Sequence, residues 1–271
     1  MMMKFVFDLD GTICFQGKPL TSEMVQTLDF LMEKGHELIF ASARPIRDLL
    51  PILPVHMQHF PMVGGNGGFV YRSGLEVSTV YLEASIADHI LTLLKQHEAE
   101  YLIDCQWDYC YSGNPEHPIR TNLDPECRAK NILLEELTQI VKVVVLSSRN
   151  HQEMLEALRN LHVVTYMHGT ENIIDISPEG VNKWTGLQAL GVFSHDFIAF
   201  GNDANDIPMF EYASRSICVG QHEKLAQIAS ERVESQEKNV MDKIIEIAER
   251  LEEESSIFDE SKVEVEDSAT G

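Results

Sequence analysis

The chain has 271 residues, 44% of them hydrophobic, and a formal net charge of -22 from 43 acidic and 21 basic residues. That length suits one large domain or two moderate ones and buries a core without disulfides or structural metal. The acidic balance argues against a nucleic-acid or anionic-membrane partner, and no apolar run approaches the ~18 residues of a membrane span.

Residues 4–9 form a short apolar, aromatic run stopped by Asp10 and Gly11, the pattern of a buried strand ending in a tight turn. Thr21 and Ser22 can cap a helix carrying Val25, Leu28, Leu31 and Met32 on one face, with Gly35 behind it. Residues 37–41 read as a second strand, and 47–50 begin another helix before a cluster of prolines. Met62 and Val63 form a short strand leading into the turn Gly64-Gly65-Asn66-Gly67-Gly68, and 69–71 with 77–81 read as a hairpin.

The next hundred residues change character. An amphipathic helix over 85–98, a strand over 101–105 and a helix over 124–137 with Pro125 in its first turn are followed by a β-branched strand over 141–146. Asn150 and Glu153 make a capping box for a helix through Leu161, and 163–167 and 172–176 are strands. This is an α+β pattern with an antiparallel sheet, about a hundred residues inserted into the first unit. From Asn182 helix and strand alternate again: helix 182–190, strand 197–200, short helix 206–212, strand 216–219, helix 224–229 and an amphipathic helix 239–251. Strand–helix alternation on both sides of an insert implies an α/β, doubly wound, Rossmann-like parallel sheet. The acidic stretch 252–271 reads as a solvated, mobile tail.

Five cysteines (Cys14, Cys105, Cys110, Cys127, Cys218) include no CxxC pair, which suits free thiols in a reducing cytoplasm. The start of the chain does not resemble a signal peptide. Cys105, Cys110, His117 and Cys127 follow no standard zinc spacing.

Four clusters carry polar chemistry, each at a strand end or helix start. Asp8 and Asp10 lie two apart where the first strand ends, so both carboxylates can face the crevice at the sheet's carboxyl edge and suit a hard cation. Ser42-Ala43-Arg44 follows the second strand, where a hydroxyl and backbone amides can hold phosphate oxygens. Lys183 sits in the first turn of a helix, against the helix dipole, where a nearby anion would compensate. Gly201-Asn202-Asp203-Ala204-Asn205-Asp206 places acidic and amide groups at a third strand end.

Together, in this order, these clusters resemble the haloacid dehalogenase superfamily of phosphohydrolases, and within it the Cof-type group with a large α/β cap, subclass IIB. Asn66 in the Gly-rich turn, the run from Asp175 to Lys183, and Asn205-Asp206-Ile207-Pro208-Met209 add to the resemblance, which spans residue 4 to about 250. It implies a discontinuous core of residues 1–81 and 182–251, a C2-type cap over 82–181, and the tail. It implies a Mg²⁺-dependent phosphatase acting on a small phosphorylated metabolite, with sugar phosphates first and phosphorylated cofactors behind.

By the same resemblance Asp8 is the nucleophile and Asp10 the general acid–base. Ser42, Lys183 and Asn205 hold the phosphoryl group, and Arg44 meets a second anionic group on the substrate. Mg²⁺ is ligated by Asp8, the carbonyl of Asp10, Asn202 and Asp206. Many relatives carry a carboxylate where this chain has Asn202. A neutral ligand there, with Asp206 or Asp203 supplying charge, keeps a working metal site; the alternative is an impaired site with low turnover. A phosphosugar mutase and a non-catalytic phosphometabolite-binding protein are the competing functions. Trp107, Tyr109, Arg120 and Asn122 are the cap residues expected to meet substrate.

Overall fold

The computed structural model describes residues 2–168 and 173–268. Thirteen strands among them form two sheets that share no strand. The first comprises β1 (Lys4–Phe7), β2 (Glu37–Ala41), β3 (Met62–Gly64), β4 (Phe69–Arg72), β5 (Leu75–Thr79), β11 (Phe197–Gly201), β12 (Arg215–Val219) and β13 (Glu231–Val233), in spatial order β13-β12-β11-β1-β2-β3-β4-β5. The strands from β13 to β3 are parallel; β4 and β5 add an antiparallel edge.

Helices cover both faces of this sheet. On one face lie α1 (Ser22–Glu33), α2 (Ile46–Leu49) and α8 (Glu237–Ser268), burying Met24, Leu28, Leu49, Val240 and Ile244 against Phe5, Phe7 and Phe40. On the other lie α5 (Lys183–Ala189), α6 (Ile207–Phe210) and α7 (Glu223–Ile228), burying Leu187, Met209 and Leu225 against Val6, Ile39 and Ala199. The alternation of Phe5, Val6 and Phe7 between the two cores is the period-two pattern of a strand covered on both sides. Thr21 caps α1 by accepting from the Met24 N–H at 3.2 Å.

The second sheet is antiparallel. It comprises β6 (Glu100–Asp104), β7 (Tyr109–Ser112), β8 (Lys142–Ser147), β9 (Val163–His168) and β10 (Ile173–Pro178), in the order β7-β6-β8-β10-β9. Helices α3 (Ala84–Gln96) and α4 (His151–Leu158) cover one face, joining Ile90, Leu94, Met154 and Leu158 to Ile103, Val143, Val145, Ile174 and Ile176. Asn150 caps α4 by accepting from the Glu153 N–H at 3.3 Å.

Three local expectations change. The helix expected over 124–137 is absent: Asp124 and Cys127 adopt φ of 45° and 52°, and only Leu134–Glu136 makes a 3-10 turn. The buried Asp124 carboxylate accepts from the N–H groups of Arg128 and Ala129 at 2.7 and 3.1 Å, so a side chain takes donors that a helix would use. The last helix does not stop at Leu251 but runs to Ser268, a segment without Gly or Pro and rich in Glu, a good helix former. Strands β7 and β13 were not foreseen; of the strand expected over 172–176, Asn172 lies outside the described residues. All five cysteines are free thiols. No helix among the described residues is long and apolar enough to cross a membrane.

Candidate active site

Register brings the site together. Phe7 of β1 pairs with Phe40 of β2 on one side and Phe200 of β11 on the other. Asp8, one residue beyond, and Ser42 and Asn202, two beyond, therefore leave the sheet at the same edge. They do so where chain order turns from β1 toward β2 on one side and toward β11 on the other, the place where open α/β sheets form their ligand crevice.

Asp8 is 5% exposed, and Lys183 and Asp206 are fully buried. Lys183 Nζ donates to Asp8 Oδ1 and to Asp206 Oδ1, both at 2.6 Å. The Thr12 hydroxyl donates to Asp8 Oδ2 at 2.8 Å, and Asp206 Oδ2 accepts from the N–H groups of Asn202 and Asp203 at 2.8 and 3.1 Å. Asn182 caps α5, its side chain accepting from the Thr185 N–H at 3.0 Å, and so aims Lys183 inward from the first turn.

One ammonium thus serves two buried carboxylates. Burial pushes the Asp8 carboxyl up, to about 7, with Asp206 adding to the rise and Lys183 opposing it. Burial alone would lower Lys183; its pairings with Asp206 and Asp8 reverse that and hold it above the ordinary lysine range.

Gly11 has φ of 80°, and a Cβ there would lie 2.1 Å from Asn202 Nδ2. A glycine is required both by the turn and by the Asn202 side chain packed on it. Asp10 points to the rim, where Arg44 donates to both of its oxygens, Nε to Oδ2 and Nη2 to Oδ1, each at 2.7 Å. The Ser42 hydroxyl accepts from the Arg44 N–H at 3.1 Å.

A second chain of contacts crosses from one sheet to the other. Asn205 Nδ2 donates to Asn66 Oδ1 at 2.9 Å, and Asn66 Nδ2 donates to Asp175 Oδ2 at 3.1 Å. Lys142 Nζ sits 2.6 Å from that same Asp175 oxygen and donates to the Ala43 carbonyl at 2.6 Å. Asn66 reaches this position in the left-handed conformation, φ 57°, inside the Gly-rich turn. Beside these contacts, between the two sheets, opens a cleft of about 340 Å³ whose walls include Asp10, Arg44, Lys142 and Asp175.

Of the residues singled out in the sequence, Asp8, Lys183 and Asp206 meet directly, and Asn202 joins them through its backbone. Asp10 and Arg44 hold each other. Asn205 and Ser42 lie at the same sheet edge with other partners. Of the four expected cap contacts, Asn122 lines the cleft. Trp107 donates to the Arg128 carbonyl, Tyr109 lies under the Arg47 guanidinium at 4.8 Å, and Arg120 stacks on Tyr111 at 5.0 Å. Sequence reasoning missed Lys142. Its signal was a single cation within the apolar run 140–146, since a buried charge is retained only with a partner.

The family model of the haloacid dehalogenase-like hydrolases matches residues 5–262. The chain belongs to this family. It is 25% identical over 250 residues to the 5-amino-6-(5-phospho-D-ribitylamino)uracil phosphatase YitU of Bacillus subtilis strain 168, covering 86% of this chain and 92% of that one. It is 24% identical over 237 residues to the pyridoxal phosphate phosphatase YbhA of Escherichia coli K12, covering 79% of this chain and 86% of that one. Among solved structures, the haloacid dehalogenase subclass IIB sugar phosphatase BT4131 superposes with a TM-score of 0.76 at 15% identity, over 91% of this chain and 99% of that one. The haloacid dehalogenase fold is thereby shown, with the antiparallel sheet as the cap inserted into the core, and the chain is a hydrolase of a family whose relatives include named phosphatases.

Proposed function

We infer that this hydrolase is a Mg²⁺-dependent phosphatase that cleaves a small phosphorylated metabolite through an aspartyl-phosphate on Asp8. The observation that carries this is the buried group Asp8–Lys183–Asp206, in which one ammonium holds the carboxylate at the ligand crevice in place. Relatives named for a phosphoribitylamino-uracil and for pyridoxal phosphate support the class of substrate. The core spans residues 1–81 and 182–251, and the cap 82–181. The net charge of -22 weighs against nucleic acid or membrane as a partner, and five free thiols suit the cytoplasm.

The donors around the crevice fit Mg²⁺. They are all hard oxygens: the carboxylates of Asp8 and Asp206, the side-chain oxygen of Asn202 and the backbone carbonyl of Asp10. Two buried carboxylates on one ammonium also leave excess negative charge. Among the described residues no group of three or more His, Cys, Asp or Glu side chains is arranged to hold a metal by itself; the neutral Asn202 and a backbone carbonyl would complete the set. When bound, Mg²⁺ offsets the charge that the phosphoryl group shares with Asp8.

The chain's own groups do the rest. An Asp8 oxygen attacks phosphorus while Asp10 gives its proton to the departing alkoxide, leaving aspartyl-phosphate and the free alcohol. Asp10 then takes a proton from water, whose oxygen attacks the same phosphorus and restores the Asp8 carboxylate with release of phosphate. Lys183, Ser42 and Asn205 hold the phosphoryl oxygens, and Lys183 favours the ionised form of Asp8 and aims it. Arg44 engages both Asp10 oxygens, so Asp10 leaves this pair to carry its proton, and the released guanidinium is free to meet an anionic substrate.

Phosphate release from a panel of phosphomonoesters, with and without Mg²⁺, tests this with wild type beside Asp8→Asn. Release that needs Mg²⁺ and disappears in the variant is expected. Release that survives in Asp8→Asn contradicts the assignment.

A further inference from the structure

The cleft between the sheets has walls of a definite chemistry. Residues two apart on a strand share a face. The helix-covered face of the cap sheet carries Ile103, Val143, Val145, Ile174 and Ile176, so Leu102, Val144 and Ile173 turn to the other side, and all three line the cleft. The register pairs Leu102 with Val144 and Val144 with Asp175, and pairs Asp104 with Lys142 one step nearer the core.

The wall is therefore graded. Its charged row is already used: Asp104 accepts from Arg47 at 2.9 Å, and Lys142 is held by Asp175 and the Ala43 carbonyl. Beyond it Leu102 pairs with Val144, the Asp175 beside Val144 is already held by Lys142 and Asn66, and Ile173, Ile119 and Leu123 extend the apolar surface of the cleft. Among the described residues lining the cleft, Asn122 supplies the single neutral polar side chain.

We propose that this cleft selects phosphomonoesters of compact, mainly apolar, ring-bearing alcohols over those of polyhydroxylated sugars. The proposal rests on the phosphatase function argued above and names its substrate class. A cleft of about 340 Å³ is at the small end of ligand sites, room for a single ring rather than a nucleotide or peptide. An apolar ring gains by displacing water from Leu102, Val144, Ile173 and Leu123. A sugar ring gives up hydrogen bonds to water along the same wall, where the charged side chains Asp10, Arg44, Asp48, Asp104, Lys142 and Asp175 already hold one another or Arg47, and Asn122 is the one neutral polar group among the lining residues.

The test uses the full chain with Mg²⁺ and four substrates. Benzyl phosphate, pyridoxal 5′-phosphate and glucose 6-phosphate are all esters of primary alcohols, so their leaving oxygens are alike and their bodies differ. Acetyl phosphate reports phosphoryl chemistry with almost no body to seat. Both ring esters are expected to exceed glucose 6-phosphate in kcat/KM by at least about tenfold, and Val144→Thr, which keeps shape and adds a hydroxyl, is expected to narrow that ratio at least about threefold. A smaller wild-type ratio with acetyl phosphate turned over overturns the proposal and leaves the phosphatase function standing. A ratio that Val144→Thr does not move overturns the assignment to this wall. No hydrolysis of any of the four overturns the phosphatase function and this proposal with it.

Discussion

Arg44 grips both carboxylate oxygens of Asp10, with two contacts of 2.7 Å from a single guanidinium. A planar fork matches a carboxylate in a way that an ammonium does not. In the function proposed, Asp10 passes a proton to the leaving oxygen, for which it leaves this pair and frees the guanidinium for an anionic substrate. The Asp10 side chain is 45% exposed, so the pair contributes at most about 1 kcal/mol to stability. Arg44→Lys is expected to melt within a few degrees of wild type and to lose up to about 100-fold in kcat/KM. Steady-state kinetics beside a thermal melt separates the two effects.

Lys183 belongs to the opposite regime. Its side chain is fully buried between Asp8 and Asp206, whose side chains are 6% and 0% exposed. Lys183→Met leaves two buried carboxylates without a counter-ion and is expected to cost about 3–5 kcal/mol, besides abolishing activity. Denaturant unfolding reads the loss directly. A variant as stable as wild type would show that the carboxylates do not depend on this ammonium.

The cap is docked on the core by a second buried ion cluster, whose Asp48 and Asp104 line the same cleft as Asp10 and Arg44. Arg47 of α2, 2% exposed, donates to both oxygens of Asp48 at 2.9 and 2.8 Å, to Asp104 of β6 at 2.9 Å and to the Trp107 carbonyl at 2.7 Å. Burial pushes the Asp104 carboxyl up, and Arg47 pulls it the other way. Arg47→Met is expected to destabilise by about 3–5 kcal/mol, because Asp48 and Asp104 stay buried and lose their partner. Adding Asp104→Leu to Arg47→Met is expected to recover part of that loss, a non-additivity that a double-mutant cycle measures.

Much of this architecture could be read from residues alone, because it follows from local rules. The first strand, the α1 cap at Thr21 and the Asn150 cap are short-range patterns, and the four polar clusters stand at strand ends, where register gathers them. What could not be read depends on distant partners. Residues 124–137 look helical, but the Asp124 N–H donates to Asp48, 76 positions away, and its carboxylate ties down its own loop. Arg44 reads as a substrate ligand, and only the fold shows Asp10 within its reach. Trp107 and Tyr109 look like ligand contacts by composition, yet they serve the Arg47 cluster. Lys142 and Asp175 come from different strands of the cap and meet only when its sheet forms.

His36 gives the fold a pH dependence of its own. The ring is 7% exposed, its Nδ1 accepts from the Met3 N–H at 3.3 Å, and its Nε2 has no hydrogen-bond partner among the described residues. Burial lowers its pKa below the ordinary 6.5, with Glu252 opposing. As pH falls through 6.5, the unfolded chain takes up this proton before the folded one does. Stability from this group is therefore full above that value, falls between it and the depressed folded value, and is level below both. His36→Gln is expected to show a shallower loss of melting temperature than wild type on acidification below about 6.5. Parallel curves for the two proteins would contradict this.

The central claim is that Asp8 carries the phosphoryl group. Wild-type protein mixed with Mg²⁺ and a hydrolysed phosphomonoester, quenched in acid within the first turnovers and digested, tests it by mass spectrometry. The peptide containing Asp8 is expected to gain one phosphoryl group, labile to mild base and absent from Asp8→Asn. Steady release of phosphate with no phosphoryl group on that peptide at any quench time would mean that water attacks the substrate directly, and the account given for Asp8 would be wrong.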